Sequence, residues 1–395
     1  MKNIYMDNAA AAPTESRVRK EADRGMKICG NPSSFNDSGR KAANELTGAR
    51  LKVARFLGAH PEEIIFAGSG SEANNLAIFG VAKVNQKLQI LNSKPHIITT
   101  KIEHPSVLEP IKQLEKNGFE VTYLSADREG FIDPEEFLNA LRPETVLVSV
   151  MYANNEIGTI EPVNKIGKII GSFRKKGAMF PLFHVDACQA AGYLNMNVNS
   201  LQSDLLTFNG SKIGGPGGVG VLYLRRGTEI SPLILGGGQE RGLRAGTENL
   251  PAILGLAKAI ELIDIKESAR LIKLRDFFIN KIREMDPGIK LNGPTRKDRL
   301  PNNINISIPG LDSENLLLEL DKHGIHAGSG SACTSRAVEP SHVLKAIGAD
   351  KKYLLGALRF SMGKETTKND IDYVLKILPK IISDLKKRYK IIEKT

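Results

Sequence analysis

Between about residue 60 and residue 225 the chain alternates between two kinds of apolar pattern. Short runs rich in β-branched and aromatic residues fall at 63–67, 96–100, 119–124, 145–152, 180–186, 205–208 and 219–224. Stretches with helical spacing lie between several of them, at 72–87, 107–117, 134–141 and 163–175. This alternation predicts an α/β fold with a mainly parallel sheet covered by helices on both faces. The runs are apolar throughout rather than at every second position, as expected when both faces of a sheet are buried. Ligands of such sheets gather beyond the carboxyl ends of the strands. Polar residues just past each run are therefore the first candidates for chemistry.

Past about residue 263 the pattern changes. A helix precedes a strand at 303–308, a helix at 313–323 and a Gly/Ser-rich stretch. A helix at 341–347, a strand at 358–362 and a long helix from about Thr367 follow. Pro379 is expected to bend or interrupt that last helix. With no internal repeat and no low-complexity linker, two domains packed together are predicted. The large one spans 15–262, and a smaller α+β domain combines 1–14 with 263–395. A chain of 395 residues can bury cores of that size.

Composition adds mainly exclusions. No apolar run approaches the roughly 18 residues of a membrane span. Asp7 stands where a signal peptide needs apolar residues. A cytoplasmic protein without membrane association is expected. The net charge of +11, from 55 basic and 44 acidic residues, is partly concentrated at 386–390. It is either a solvated Lys-rich surface or an attraction for an acidic protein or tRNA. No zinc-finger or RNA-binding aromatic signature accompanies it, so direct DNA binding is not expected. Three cysteines without a Cys-x-x-Cys pair argue against a disulfide framework or a structural zinc site.

Two polar residues at strand ends carry the sharpest signal. Asp186 ends the run 180–186, and Lys212 follows the run 205–208 just before Gly214-Gly215-Pro216-Gly217-Gly218. A carboxylate and an amine at the same edge of neighbouring buried strands suit pyridoxal 5'-phosphate. The lysine forms a Schiff base with its aldehyde, and the aspartate keeps its pyridine nitrogen protonated. Taken alone, an Asp or Lys at a strand end is more often a solvated turn residue.

Other strand ends add to the picture. Gly68-Ser69-Gly70-Ser71 leads from a strand into a helix. It is either an anion-binding helix start or a tight turn with Ser71 as a plain cap. His104 precedes Pro105, a residue suited to a first helical turn, which would hold the imidazole at the rim for stacking and proton transfer. His60 and His342 read as surface or capping groups. In Asn154-Asn155-Glu156-Ile157-Gly158 the amides pair within the loop or Asn155 reaches a ligand. Cys333 lies in Gly328-Ser329-Gly330-Ser331-Ala332-Cys333-Thr334-Ser335, a setting that suits a reactive thiol. Cys188, among alanines and Val185, reads as a core thiol. Cys29 precedes a plausible helix end and shows no nucleophile signal.

Together these motifs resemble the cysteine desulfurases of the NifS/IscS family, within the fold type I (class V aminotransferase-like) pyridoxal-phosphate enzymes. The resemblance runs from Tyr5-Met6-Asp7-Asn8-Ala9-Ala10 to Thr366-Thr367-Lys368-Asn369-Asp370. It includes Gly30-Asn31-Pro32-Ser33-Ser34, Gly236-Gly237-Gly238-Gln239-Glu240-Arg241 and Gly246-Thr247-Glu248-Asn249. It implies that Lys212 binds the cofactor aldehyde, Asp186 pairs with the ring nitrogen and His104 stacks on the ring. Gln189 and Asn155 would lie near the ring hydroxyl. Gly70, Ser71, Asn209 and Ser211 would hold the phosphate, with Thr247 reaching the phosphate of a partner subunit in a homodimer. Arg359 would grip the carboxylate of L-cysteine, with Asn155 and Asn31 beside it. Cys333 would take the sulfur as a persulfide and pass it to an iron–sulfur scaffold protein, a tRNA-thiolation enzyme or another acceptor. The stretch after Cys333 resembles the longer loop of the scaffold-feeding branch. No resident metal is implied, only transient iron–sulfur contact at Cys333.

Two positions depart from that family. Ser211 replaces a histidine directly before the lysine, and Asn209 replaces a serine two positions earlier, which puts cofactor affinity in question. Selenocysteine lyase would share every residue named. An aminotransferase of the same fold would not need Cys333, and an interaction protein with weak catalysis would follow from the basic surface and Ser211.

Overall fold

The computed structural model describes residues 3–88, 94–174, 180–330 and 340–389. Its centre is a seven-stranded sheet. The strands are β1 (Ile64–Ala67), β2 (His96–Thr100), β3 (Glu120–Leu124), β4 (Thr145–Met151), β5 (Leu182–Asp186), β6 (Leu205–Asn209) and β7 (Gly220–Leu224). Across the sheet they run β1-β7-β6-β5-β4-β2-β3. Neighbours from β6 to β3 are parallel. Only β7 runs the other way, against both β1 and β6. The carboxyl ends of β1 to β6 therefore share one edge.

Both faces of the sheet are covered, which explains the unbroken apolar runs. Successive residues point to opposite faces. Phe183, Val185, Leu206 and Phe208 enter one core layer with Val53 and Leu57. Leu182, Leu147 and Leu205 enter the other, with Leu76 and Ile111.

A second core surrounds a three-stranded antiparallel sheet of β8 (Lys290–Leu291), β9 (Asn303–Ser307) and β10 (Ala357–Ser361). Ile304, Ile306, Phe360, Val374 and Leu378 fill it, and Ile4 and Met6 join them. The chain start is tied there because Ile4–Tyr5 pairs in parallel with Ile325–His326. A smaller cluster, in which Ile102, Met151 and Ile157 meet Val343, Leu344 and Ile347, closes the ends of β2 and β4.

The long terminal helix spans Lys368–Arg388 with Pro379 inside it, so the interruption expected there does not occur. After the motif at 246–249, a helix spans Leu250–Glu261, capped by Asn249. No helix among the described residues is long and apolar enough to cross a membrane.

Candidate active site

The shared sheet edge gathers the candidate residues. Asp186 ends β5, the middle strand, in register with Met151 of β4 and Thr207 of β6. Its side chain is fixed on both oxygens. The Cys188 main-chain N–H donates to Oδ1 at 3.0 Å, and the Asn74 amide donates to Oδ2 at 2.8 Å. A carboxylate held this way points in one direction, as a partner for a protonated ring nitrogen must.

Lys212 follows β6 in a short turn, Gly210–Lys212, capped by Asn209, whose Oδ1 accepts the Lys212 N–H at 3.3 Å. The Lys212 ammonium reaches the Ala10 carbonyl at 2.5 Å. That carbonyl belongs to a strap of the chain start. The strap is bound to β10 by the Ala9 N–H on Ser361 Oγ (2.8 Å) and to the lysine turn by the Ala12 N–H on the Ser211 carbonyl (2.8 Å). Gln189 donates to the Ala9 carbonyl of the same strap at 3.0 Å.

His104 caps the helix Pro105–Lys116, with Pro105 in the first turn. The Ser106 N–H donates to His104 Nδ1 at 3.1 Å, and the Ser106 hydroxyl lies 2.7 Å from the same nitrogen. Burial lowers the imidazole pKa, and the positive charge of Lys212 works in the same direction against the opposing pull of Asp186. His342, expected as a surface or capping group, is half-buried, and Ser341 rather than His342 caps its helix. Its Nε2 lies 2.9 Å from the carbonyl of Glu103, directly beside His104.

At the other end of the cleft the helix Gly70–Leu88 starts after β1. Ser69, not Ser71, supplies the capping hydroxyl, accepting the Glu72 N–H at 3.0 Å. Ser71 is exposed. A Cβ on Gly70 would stand 2.8 Å from Asn209 Nδ2 and 2.9 Å from Cys188 Sγ, so only glycine lets these walls meet. Cys188 thus borders the cleft instead of lying deep in the core. Burial, with Asp186 adding to it, pushes its thiol pKa well up and keeps it protonated. Ser211 donates to Asn209 Oδ1 at 3.2 Å. Thr247 is exposed. Its loop is pinned to the helix start by Arg244, whose Nε donates to Glu72 at 2.8 Å.

From the second sheet, Arg359 of β10 donates to the Asn155 carbonyl (3.0 Å) beyond β4 and to Asp7 (2.8 Å). Its Nε is buried without a partner. An unmet buried donor costs about 1–3 kcal/mol, more on a charged group. Asn31 lies apart from these contacts, exposed, with its Oδ1 accepting the Ser33 N–H at 2.9 Å. Cys333 falls outside the described residues.

Sequence reasoning missed Asn74, Ser106 and Asp7 as members of this constellation. The detectable signal was Asn74 itself, an amide within the apolar helix stripe of Ala73, Leu76 and Ala77.

The arrangement fits pyridoxal phosphate on its own geometry. Amine and oriented carboxylate leave adjacent parallel strands, and a helix start with Gly70 at its mouth lies against the turn residue Asn209. The class-V aminotransferase family model matches residues 4–374. The chain is 46% identical over 393 residues to the cysteine desulfurase IscS of Dictyoglomus turgidum, covering 98% of this chain and 96% of the relative. To the cysteine desulfurase IscS of Clostridium botulinum it is 47% identical over 389 residues, 96% and 94% of the two chains. Among solved structures, a NifS-like protein superposes with a TM-score of 0.88 at 36% identity, covering 97% of this chain and all of the other. The chain belongs to the class-V aminotransferases, pyridoxal-phosphate enzymes of fold type I. Within them it is a member of the NifS/IscS group of cysteine desulfurases.

Proposed function

We infer that the protein converts L-cysteine to L-alanine and keeps the sulfur on Cys333. The observation that carries this reading is the placement of Asp186 and Lys212 at the carboxyl ends of the adjacent parallel strands β5 and β6, with Arg359 of the second sheet reaching the loop beyond β4. Bound pyridoxal phosphate supplies an electron sink for the bonds around the substrate Cα. Asp186 would hold the proton of its ring nitrogen, and Lys212 would bind its aldehyde. Arg359 takes the substrate carboxylate, with its Nη1 steadied by the Asn155 carbonyl. Lys212 takes the Cα proton and returns it to Cα after the C–S bond has broken. Cys333, as a thiolate, attacks the substrate sulfur. The new S–S bond forms as the C–S bond breaks, the electron pair stays with the β-carbon, and that carbon takes a proton to give alanine. Cys333 is left as a persulfide.

Supporting Cys333 over Cys188, the Cys188 thiol is held protonated by burial, with Asp186 adding to it. A homodimer is supported by the exposure of Phe35 (96%) and Leu235 (80%), which adjoin the motifs at 30–34 and 236–241. In that dimer Thr247 serves the partner's phosphate. The sulfur goes to an iron–sulfur scaffold or another acceptor in the cytoplasm. The test is an absorbance spectrum of purified protein before and after L-cysteine, with alanine assayed. A protein that stays colourless with added pyridoxal phosphate sinks the reading. Faster release of selenide than of sulfide would redirect it to selenocysteine.

A further inference from the structure

Asn74 sits in the first turns of the helix Gly70–Leu88 and is only 1% exposed. Its Nδ2 makes two bonds, to Asp186 Oδ2 at 2.8 Å and to Ser106 Oγ at 2.9 Å. A carboxylate only accepts, so the amide nitrogen must face Asp186, and both its protons are then used. The Ser106 oxygen accepts one of them, which leaves the serine's own proton for the group 2.7 Å away, His104 Nδ1. That nitrogen also receives the Ser106 main-chain N–H at 3.1 Å. With two donors directed at it, Nδ1 must present its lone pair. The proton of the neutral imidazole is therefore on Nε2.

We propose that Asn74 is a positioning residue that sets two members of the site at once. It aims the Asp186 carboxylate and, through Ser106, fixes His104 as the tautomer that presents Nε2–H. The relay rests on the reading of Asp186 and His104 given above, and it adds two residues and a defined protonation pattern to it. In consequence His104 enters the reaction as a proton donor or hydrogen-bond donor rather than as a base. Proton removal at the substrate Cα is left to Lys212.

The relay is tested on apoprotein carrying 15N-labelled histidine, with the His104 resonances assigned by His104→Gln. Wild type should show His104 protonated at Nε2 only. In Ser106→Ala and in Asn74→Leu the Nδ1–H form should become detectable. Pyridoxal phosphate titrations separate the two arms. Ser106→Ala should bind within about twofold of wild type, whereas Asn74→Leu should bind about tenfold more weakly or worse, having lost a bond to a charged group. A His104 spectrum unchanged in both variants, or an Asn74→Leu protein binding as tightly as wild type, overturns the proposal. If Asn74→Leu does not fold, Asn74→Ala replaces it, and the Ser106→Ala spectrum decides the histidine arm in any case. A wild type that takes up no pyridoxal phosphate would refute the functional reading, while the apoprotein spectra would still judge the relay.

Discussion

The two ends of the cleft are built differently. At the end holding Asp186 and His104, the acid and the imidazole are both partnered by groups of the same chain. Asp186 meets Asn74 and Cys188, and His104 meets Ser106. At the end holding Ser71, Ser211 and Thr247, the groups are sparse. Ser71 and Thr247 are exposed, and the Ser211 hydroxyl proton is directed to Asn209. Even the loop that carries Thr247 is held by strain set against an ion pair. Glu240 and Arg241 adopt left-handed φ of 46° and 59°, a cost of about 1–3 kcal/mol each. Against this, Glu240 takes Arg50 at 2.6 Å and the Phe66 N–H at 2.9 Å. At the ring end Asp186 and His104 find their partners within one chain. The phosphate end is a surface, rigidly presented, that fits a reading in which a second copy finishes it.

The largest test falls on the ring end. Lys212→Ala should abolish turnover, and borohydride treatment should then fix no cofactor on the protein. Lys212 is the only lysine between Lys176 and Lys258, so no local substitute stands near Asp186. Cofactor retained covalently in this variant, read by mass spectrometry, would remove Lys212 from the site. Cys333→Ser comes next. It should bind cofactor and L-cysteine as wild type does but form no alanine, because only the C–S step needs the thiol. In wild type, a cysteine pulse should add one sulfur to the Cys333 peptide. The same mass on the Cys29 or Cys188 peptide would show another thiol to be the acceptor.

The ring end was more legible in the sequence than the phosphate end, for physical reasons. Fully buried strands give unbroken apolar runs, so the first polar residue after each, such as Asp186, marks the sheet edge without any knowledge of contacts. Asn74 could not be read that way. Its bond to Asp186 spans 112 residues, and only its place in an apolar stripe hinted at a buried partner. His342 was misread for the same reason, since its contact with Glu103 spans 239 residues. Pro379 failed as a breaker because packing outweighed local preference. A proline inside a helix costs about 3 kcal/mol. The same helix buries Ile371, Val374, Leu378 and Leu385, each worth about 1.5–3 kcal/mol. Ser71 was an ambiguous cap because Ser69, two residues earlier, offers the same hydroxyl, and only backbone geometry selects between them.

If a second chain finishes the phosphate end, Thr247 should matter far from its own cleft. Thr247→Val should weaken pyridoxal phosphate binding by about tenfold, the loss of one hydrogen bond to a charged group, while leaving the dimer intact in sedimentation. A monomer with full activity would break the comparison outright. A Thr247→Val protein with unchanged affinity would show that the phosphate end is already complete in one chain.

The smallest effect, and the only expected gain, lies at Ser211. Its hydroxyl donates to Asn209 Oδ1 at 3.2 Å, and that same oxygen accepts the Lys212 N–H at 3.3 Å. The serine therefore serves the turn that presents the lysine, and its proton is not offered to a phosphate. Ser211→His would forgo that bond, at about 0.5–1.5 kcal/mol, and bring a ring N–H able to make a charge-assisted bond of about 1.5–3 kcal/mol where it forms well. The net, about 1 kcal/mol, corresponds to roughly fivefold tighter pyridoxal phosphate binding. Space decides whether the gain is realised. The turn is tight, since a Cβ on Gly215 would stand 2.9 Å from the Gly210 carbonyl, but Ser211 itself is only half-buried. Titration of apoprotein from wild type and Ser211→His reads the difference directly. Tighter binding would mark Ser211 as a loss the phosphate end tolerates. Equal or weaker binding would mean that Asn209 and Ser211 form a cup shaped around the shorter side chain, and the two ends of the cleft would then be less unequal than their exposure suggests.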